Sequence, residues 1–402
     1  MISVAAAIQT VIQQTPTLPS ESVALENARG RYLAEDVIAD SDLPPFDRSQ
    51  MDGYAVKAAD TQNAPVRLRI VGESAAGRGW HHEMKAGDAV RIMTGAPLPS
   101  GADSVQQVEL TRDINPELVE IQQPVAAGRS IVGLGSEVKR GATVLRAGEQ
   151  INPALLATLA SFGYAQIKVG KRPRAAVLAT GSELVAVDQQ PGPDQIRDSN
   201  NYSIGAYAEL AGAIVEPLPL AGDDIDLLKR QITEAAQRSD VVITSGGVSM
   251  GVYDFTKAAL KELGCEIFFE RVSLRPGKPT VFGRLPKGTL VFGLPGNPVS
   301  VSVTFNLFAR VALLRMQGAN EPEFPEERAV LAQGVKSSAD RESYLPASLR
   351  TDASGQLLVE ALKWGGSSDF VAFTAATALL IVPQGEQAVA AGTVVRVVRL
   401  PS

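Results

Sequence analysis

The chain has 402 residues, room for roughly two to four domains of ~100–200 residues each, and its 45% hydrophobic and 20% charged content suits sizeable buried cores. A net charge of −6 with scattered Lys and Arg excludes the basic face of a nucleic-acid binder, and the single Cys265 excludes a disulfide framework or multi-cysteine zinc site. Met1-Ile2-Ser3-Val4 lacks signal-peptide features, and no apolar run reaches the ~18 residues of a membrane span, so a cytoplasmic setting is expected, with neither nucleic acid nor membrane as partner.

In chain order, Val4, Ala7, Ile8, Val11 and Ile12 recur at helical spacing and predict a helix over 3–14. A second short helix is predicted after Ser20. From Leu43 to Glu137, short β runs over 66–71, 89–93 and 105–110 alternate with Gly- and Pro-rich turns. Helical spacing returns over 151–162, where Pro153 suits a first turn. Arg172-Pro173-Arg174 reads as a linker. Beyond it strands and helices alternate: strand 175–179, helix 200–211, strand 213–218, a helix from Asp223 or Asp224 to 238, strand 241–244 and helix 254–263. A hairpin (280–284 with 289–292) and a final helix over 298–316 complete this part. Such alternation makes a parallel-rich sheet with helices on both faces. Short strands near 328–335, 357–361, 378–382 and 393–399 end the chain.

The expected fold is multidomain α/β plus β. A helical linking domain takes 1–40 and 140–170, a β-rich domain 41–139, a central doubly wound α/β domain 171–320, and a β-barrel-like C-terminal domain 321–402.

The α/β part concentrates its special residues where strands should end. Strand 175–179 empties into Thr180-Gly181-Ser182-Glu183, strand 241–244 into Ser245-Gly246-Gly247-Val248-Ser249-Met250-Gly251, and Leu290-Val291-Phe292 into Gly293 through Pro298. Ligands of open α/β sheets sit beyond the carboxyl ends of strands, where glycine permits close approach and helix-start amides favour anions. Three such turns, with Arg275-Pro276-Gly277-Lys278-Pro279 between them, point to a phosphorylated ligand.

Each chemical candidate has a plainer alternative. Asp254, Asp223 and Asp224 stand at helix starts, where Asp is a favoured cap. Glu183 can be a solvated loop carboxylate, and Asp52 and Thr94 can be turn residues. Lys278, framed by Gly277 and Pro279, suits a fixed cation for phosphate or oxyanion. Asn297-Pro298 forms a good helix start. His81-His82 lacks supporting ligand spacing and reads as a solvated loop. Cys265 reads as buried and inert. Without a Ser-His-Asp or Cys-His arrangement, the chemistry that fits is electrostatic.

Several motifs taken together resemble one family. They are Pro45-Phe46-Asp47-Arg48-Ser49-Gln50-Met51-Asp52-Gly53-Tyr54-Ala55, Met93-Thr94-Gly95-Ala96, Thr180 to Leu184, Asp198-Ser199-Asn200, Ser245 to Gly251, Arg275 to Pro279 and Leu294 to Ser300. Their order resembles the molybdopterin molybdotransferases, which include the C-terminal domain of gephyrin. Arg48 stands where that family often has Asn, Ser136-Glu137 replaces its usual Gly-Glu-Asp run, and Ala376-Thr377 a common Ala-Asn.

The resemblance implies a four-domain subunit, a homodimer, and insertion of molybdate into adenylylated molybdopterin with release of AMP. A molybdopterin adenylyltransferase would act upstream. It assigns catalysis to Asp52, Thr94, Glu183, Asp223 and Asp254, favouring Asp223 over Asp224. Asp52 and Thr94 would face another subunit's site. Ser245, Gly246, Gly247, Ser249, Gly251, Lys278, Pro295, Gly296, Asn297, Pro298 and Ser300 would bind substrate. Glu183, Asp223 and Asp254 would hold Mg2+, since clustered carboxylates repel an oxyanion unless a cation bridges them. Two alternatives accompany this reading: a molybdopterin adenylyltransferase, and a non-enzymatic scaffold of the gephyrin type.

Overall fold

The computed structural model describes residues 1–248 and 255–401. They form two compact units. The larger comprises Met1–Glu35, Ala147–Leu156 and Gln166–Ser402, and the smaller comprises Asp36–Arg146 with Ala157–Ala165.

The larger unit is built on a six-stranded sheet. Its spatial order is Ile214–Pro217, Arg174–Ala179, Val241–Ser245, Leu290–Leu294, Val281–Arg284 and Glu266–Phe269. Only Val281–Arg284 runs against the others. Ala175–Ala179, Val241–Ser245 and Leu290–Leu294 are buried at every position, as strands covered on both faces must be. One face packs against the helices Val4–Gln14, Asn200–Leu210 and Pro298–Met316. The other packs against Ile225–Ala235 and Phe255–Glu262. The helix Pro298–Met316 is long and apolar enough to cross a membrane, yet 89% of its apolar window is buried inside the protein, which makes it a core helix.

Register decides where the functional loops fall. Ala179 pairs with Ser245, and Ser245 with Leu294, so three parallel strands end level with one another. The turns that follow, at Thr180, Gly246 and Pro295, therefore emerge side by side.

The C-terminal part is a closed five-strand barrel. Glu342–Thr351, Leu357–Ala361, Glu326–Leu331, Val394–Arg399 and Ala378–Val382 pair in a ring, around a core that includes Leu331, Val359, Leu380 and Val397. Its longest strand, Glu342–Thr351, is absent from the sequence expectation. Pro346 interrupts that run, and proline is disfavoured inside a sheet. Here its carbonyl still accepts from Leu362, at 2.9 Å.

A second correction concerns the segment after Ser20. It is a strand, Ser20–Ala24, followed only by one 3-10 turn at Leu25–Asn27. The strand pairs antiparallel with Gln166–Gly170, a partner some 140 residues away that local pattern cannot reveal.

The smaller unit holds another six-stranded sheet, ordered Ser104–Gln107, Gly53–Val56, Asp88–Ile92, Val66–Ser74, Leu118–Ile121 and Thr111–Asn115. Its two faces carry separate apolar clusters, one around Tyr54 and Ile121, the other around Ile92 and Val105.

Phe282 and Phe292 stack in the central sheet with ring centroids 4.7 Å apart, and both are fully buried. Phe292→Ala should cost about 3–5 kcal/mol through lost transfer energy and a residual cavity. Chemical denaturation would show this as an earlier transition of the larger unit. An unmoved midpoint would mean that the sheet core does not depend on this pair.

Candidate functional site

The level strand ends open a cleft of about 600 Å³, lined by Thr180 to Glu183, Asp223, Gly246 to Val248, Pro279 and Pro295 to Asn297. Gly246 and Gly247 have φ of +95° and +64°, which favours glycine, and each is also sterically confined. A Cβ on Gly246 would overlap the carbonyl oxygen of Thr180, and one on Gly247 would strike the Thr256 hydroxyl. That hydroxyl donates to Gly246 O at 2.9 Å, holding the turn against its following helix.

Asn200 ties two of the turns together. Its buried amide nitrogen donates to Ser245 Oγ and to Gly296 O, both at 2.7 Å. Ser245, expected to bind substrate, is thus buried and serves to fix the turn. Gly246, Gly247, Pro295, Gly296 and Asn297 do line the cleft, whereas Pro298 begins the helix behind it.

The alternative left open between Asp223 and Asp224 divides by geometry. Asp224 caps Ile225–Ala235, accepting from Asp226 N and Leu227 N at 3.0 Å each. Asp223 is exposed and lines the cleft with Glu183. Asp254, Ser249 and Gly251 lie outside the described residues. Among the described residues no three His, Cys, Asp or Glu side chains group as a metal site.

A second cleft of about 410 Å³ shares Pro279, Pro295 and Asn297 with the first. Its lining is basic: Arg275, Lys278 and Arg341, with Ser300, Trp364 and Ser367. Arg275 and Lys278 form no ion pair with any carboxylate among the described residues, so both charges are available to a ligand. Arg341 pairs with Asp340 at 2.9 Å.

Asn297 differs from its expected part as a helix cap, for its side chain makes no capping bond. It donates instead to Ser367 Oγ at 2.8 Å, and Ser367 O accepts from Val299 N at 3.0 Å. The loop bearing Ser367 is folded by Asp369, which accepts from Gly365 N and Ala372 N. Arg341, Trp364 and Ser367 are absent from the sequence expectation. Trp364-Gly365-Gly366-Ser367 carries the same turn-rich signature as the strand-end loops and offered the one available signal.

Asp52 and Thr94 belong to the smaller unit, where they form a pair. Asp52 Oδ1 accepts from both the amide and the hydroxyl of Thr94, at 2.7 Å each. These bonds, the amide first, hold the Asp52 carboxyl below its ordinary range. Elsewhere, His81 and His82 are exposed. Cys265 is half-buried, a correction to the expected full burial, and that burial pushes its thiol up to about 11, so it stays protonated at neutral pH.

A parallel sheet whose level strand ends carry glycine turns over adjoining acidic and basic clefts defines a phosphate- or oxyanion-handling α/β protein. Comparison with known proteins narrows this. Residues 2–163 match the MoeA N-terminal region (domain I and II), 176–315 a probable molybdopterin binding domain, and 328–400 the MoeA C-terminal region (domain IV). A molybdopterin molybdenumtransferase of Staphylococcus aureus is 35% identical over 402 residues, covering 99% of this chain and 95% of that protein. One from Haemophilus influenzae is 34% identical, covering 99% and 98%. The solved MoeA molybdopterin biosynthesis protein of Pyrococcus horikoshii superposes with a TM-score of 0.81 at 32% identity, covering 99% of each chain. The chain belongs to the molybdopterin molybdenumtransferase (MoeA) family.

Because Thr94 depresses the Asp52 pKa, Asp52 is ionised at neutral pH, and its bonds to Thr94 favour the folded state above the unfolded-state pKa. That contribution is lost as pH falls through the lower folded-state value. Thr94→Val keeps the amide and removes the hydroxyl, so it should move the Asp52 pKa upward in a carboxyl-detected NMR titration. An unmoved pKa would show that the hydroxyl bond contributes nothing.

Proposed function

We propose that this chain transfers molybdate onto adenylylated molybdopterin and releases AMP. The observation that carries this reading is the pair of adjoining clefts. One has glycine backbone and carboxylates, as a phosphoanhydride bound with a cation requires. The other has the cations Arg275 and Lys278, which form no ion pair among the described residues, beside Arg341, as a tetrahedral oxyanion requires. Their shared wall of Pro279, Pro295 and Asn297 would hold the two substrates in contact. The family membership supports the same chemistry.

In this reading Lys278, Arg275 and Arg341 bind molybdate as fixed positive charges. Gly246 and Gly247 allow the phosphate groups to approach the backbone closely. Glu183 and Asp223 offer hard oxygen donors that fit magnesium, which prefers one or two carboxylates together with substrate phosphates. When bound there, magnesium would supply neutralisation of charge on the phosphoanhydride. No described side chain is placed as a covalent nucleophile, so the work is binding, orientation and charge stabilisation.

The same proposal includes a cytoplasmic homodimer fed by an upstream adenylyltransferase. Asp52 is an exposed, ordered carboxylate in the smaller unit, suited to completing a site on a two-fold partner, and closed two-fold dimers are the commonest soluble assembly.

Purified protein supplied with adenylylated molybdopterin should release AMP only when molybdate is added. Pyrophosphate release from ATP and molybdopterin instead would favour the adenylyltransferase alternative. Lys278→Ala should weaken molybdate binding in calorimetry by about tenfold or more, the scale of a charge-assisted hydrogen bond, while the melting transition holds. An unchanged dissociation constant would leave Lys278 as ordinary surface.

Asp52→Ala and Asp254→Ala subunits, each inactive alone, should regain up to about one quarter of wild-type activity when mixed and allowed to exchange, as random pairing into independent two-subunit sites requires. No recovery despite verified exchange would end the shared-site reading.

A further inference from the structure

The reaction above leaves one cation of the smaller unit without a task. Arg48 lies four residues before Asp52, on a stretch whose backbone is tied down at almost every step. Arg48 pairs with Val132 and Ser49 with Ile131. On the other side Arg48 bridges to Pro97, the Ser49 amide donates to Ala96 O at 3.0 Å, and Ser49 O accepts from Gly95 N at 2.8 Å. The Gln50 amide donates to Ser130 O at 2.9 Å. Asp52 then meets Thr94, the neighbour of Gly95. Arg48 and Asp52 thus belong to one rigid platform, held by the segments 94–97 and 130–132.

A carboxylate directs the Arg48 side chain. Arg48 Nη2 donates to Glu137 Oε1 at 2.9 Å. Glu137 is fixed in turn, for its amide donates to Leu43 O at 2.9 Å, and its loop is folded by Asp47, which accepts from Leu134 N, and Asp42, which accepts from Arg140 N. The two side chains of the pair are 39% and 46% exposed. So exposed a pair adds little to stability, because water screens both charges and two long side chains lose freedom. Its effect is on orientation. One donor of the guanidinium is used, and its other nitrogens have no partner among the described residues.

The platform carries a second sign of a ligand face. Ser130, whose carbonyl holds Gln50, has a φ of +59° and is the sole non-glycine residue in the left-handed region among the described residues. Backbone strain of this kind gathers at functional sites. Charge points the same way. An ionised Asp52 that faced a phosphoanhydride on a partner subunit would repel it, more strongly where subunit contact excludes water. A guanidinium on the same platform supplies the attraction that is missing, and its planar fork matches two phosphate oxygens at once.

We propose that Arg48 is a substrate-binding cation that contacts the phosphate oxygens of adenylylated molybdopterin bound by the partner subunit, and that Glu137 is its positioning residue. This rests on the shared-site reading of Asp52 and extends it.

The test measures molybdate-dependent AMP release by full-length protein over a range of adenylylated molybdopterin concentrations. Arg48→Ala should raise KM about tenfold or more, the scale of a charge-assisted hydrogen bond, with an unchanged melting transition. Arg48→Lys keeps the charge without the fork and should recover part of the loss; it also serves if the alanine variant is unstable. Glu137→Gln should raise KM less, and should add nothing further in an Arg48→Ala background, since it acts through Arg48. At low substrate, Arg48→Ala subunits mixed with Asp254→Ala subunits should regain turnover, because one site of each mixed dimer is then intact. Mixed with Asp52→Ala they should not, because each site then carries one lesion. A wild-type KM in Arg48→Ala, or recovery in the Arg48→Ala and Asp52→Ala mixture, would overturn the proposal. A Glu137→Gln loss that adds to that of Arg48→Ala would remove Glu137 as the positioning residue. Failure of Asp52→Ala and Asp254→Ala subunits to complement would sink the shared site itself, whereas complementation beside an indifferent Arg48→Ala would sink only the assignment of Arg48.

Discussion

The site depends on one constraint: three buried parallel strands must end at the same level and stay there. The pairings of Ala179 with Ser245 and of Ser245 with Leu294 set the level. The amide of Asn200, spanning Ser245 Oγ and Gly296 O, locks the turn after one strand to the turn after the next. Because Asn200 and Ser245 are buried, water does not readily replace a partner lost there, and an unmet polar group is penalised by roughly 1–3 kcal/mol. A slip of one residue would also turn every apolar side chain of a strand to the opposite face. Position and polarity of the loops are therefore set by the same pairings that build the core.

From that constraint follows a segregation of charge. The carboxylates Glu183 and Asp223 stand over the glycine turns, while Arg275, Lys278 and Arg341 stand beyond the shared wall at Pro279 and Pro295. Were these groups interspersed, they would pair with one another and screen the field each presents to a ligand. Held in separate clefts, these carboxylates and cations form no ion pair with one another among the described residues. Asp223 and Asp224 show the same economy within two residues, one committed to the helix end and its neighbour turned to the cleft.

Much of this was legible in the sequence because it depends on local chemistry. Strand 241–244 reads as a short apolar, β-branched run that empties into glycines, as a buried strand ending in a tight turn requires. The hairpin turning at Pro286-Lys287-Gly288 and the helix behind Pro298 are equally local. What escaped is held by distant partners. Ser20–Ala24 becomes a strand only because Gln166–Gly170 lies beside it, and Glu342–Thr351 tolerates Pro346 because the closed barrel supplies partners around it. Arg341, Trp364 and Ser367 reach the basic cleft from the far end of the chain, so spacing alone could not assign them. Ser245 shows the converse: its motif is plain, yet its hydroxyl is consumed by Asn200.

Asn297 explains why the barrel-bearing segment belongs to this site. An asparagine before a proline-led helix ordinarily turns its side chain back onto the helix amides. Here it reaches outward to Ser367, while the Ser367 carbonyl takes the amide of Val299. The helix start is thus partly satisfied by a loop that also carries Trp364 to the cleft, and Asp369 keeps that loop folded through Gly365 and Ala372. Satisfying the helix end and walling the basic cleft are consequently one act of packing. A helix capped by its own asparagine would be self-sufficient, and would leave Lys278 facing a cleft open on the side that Trp364 and Ser367 now cover.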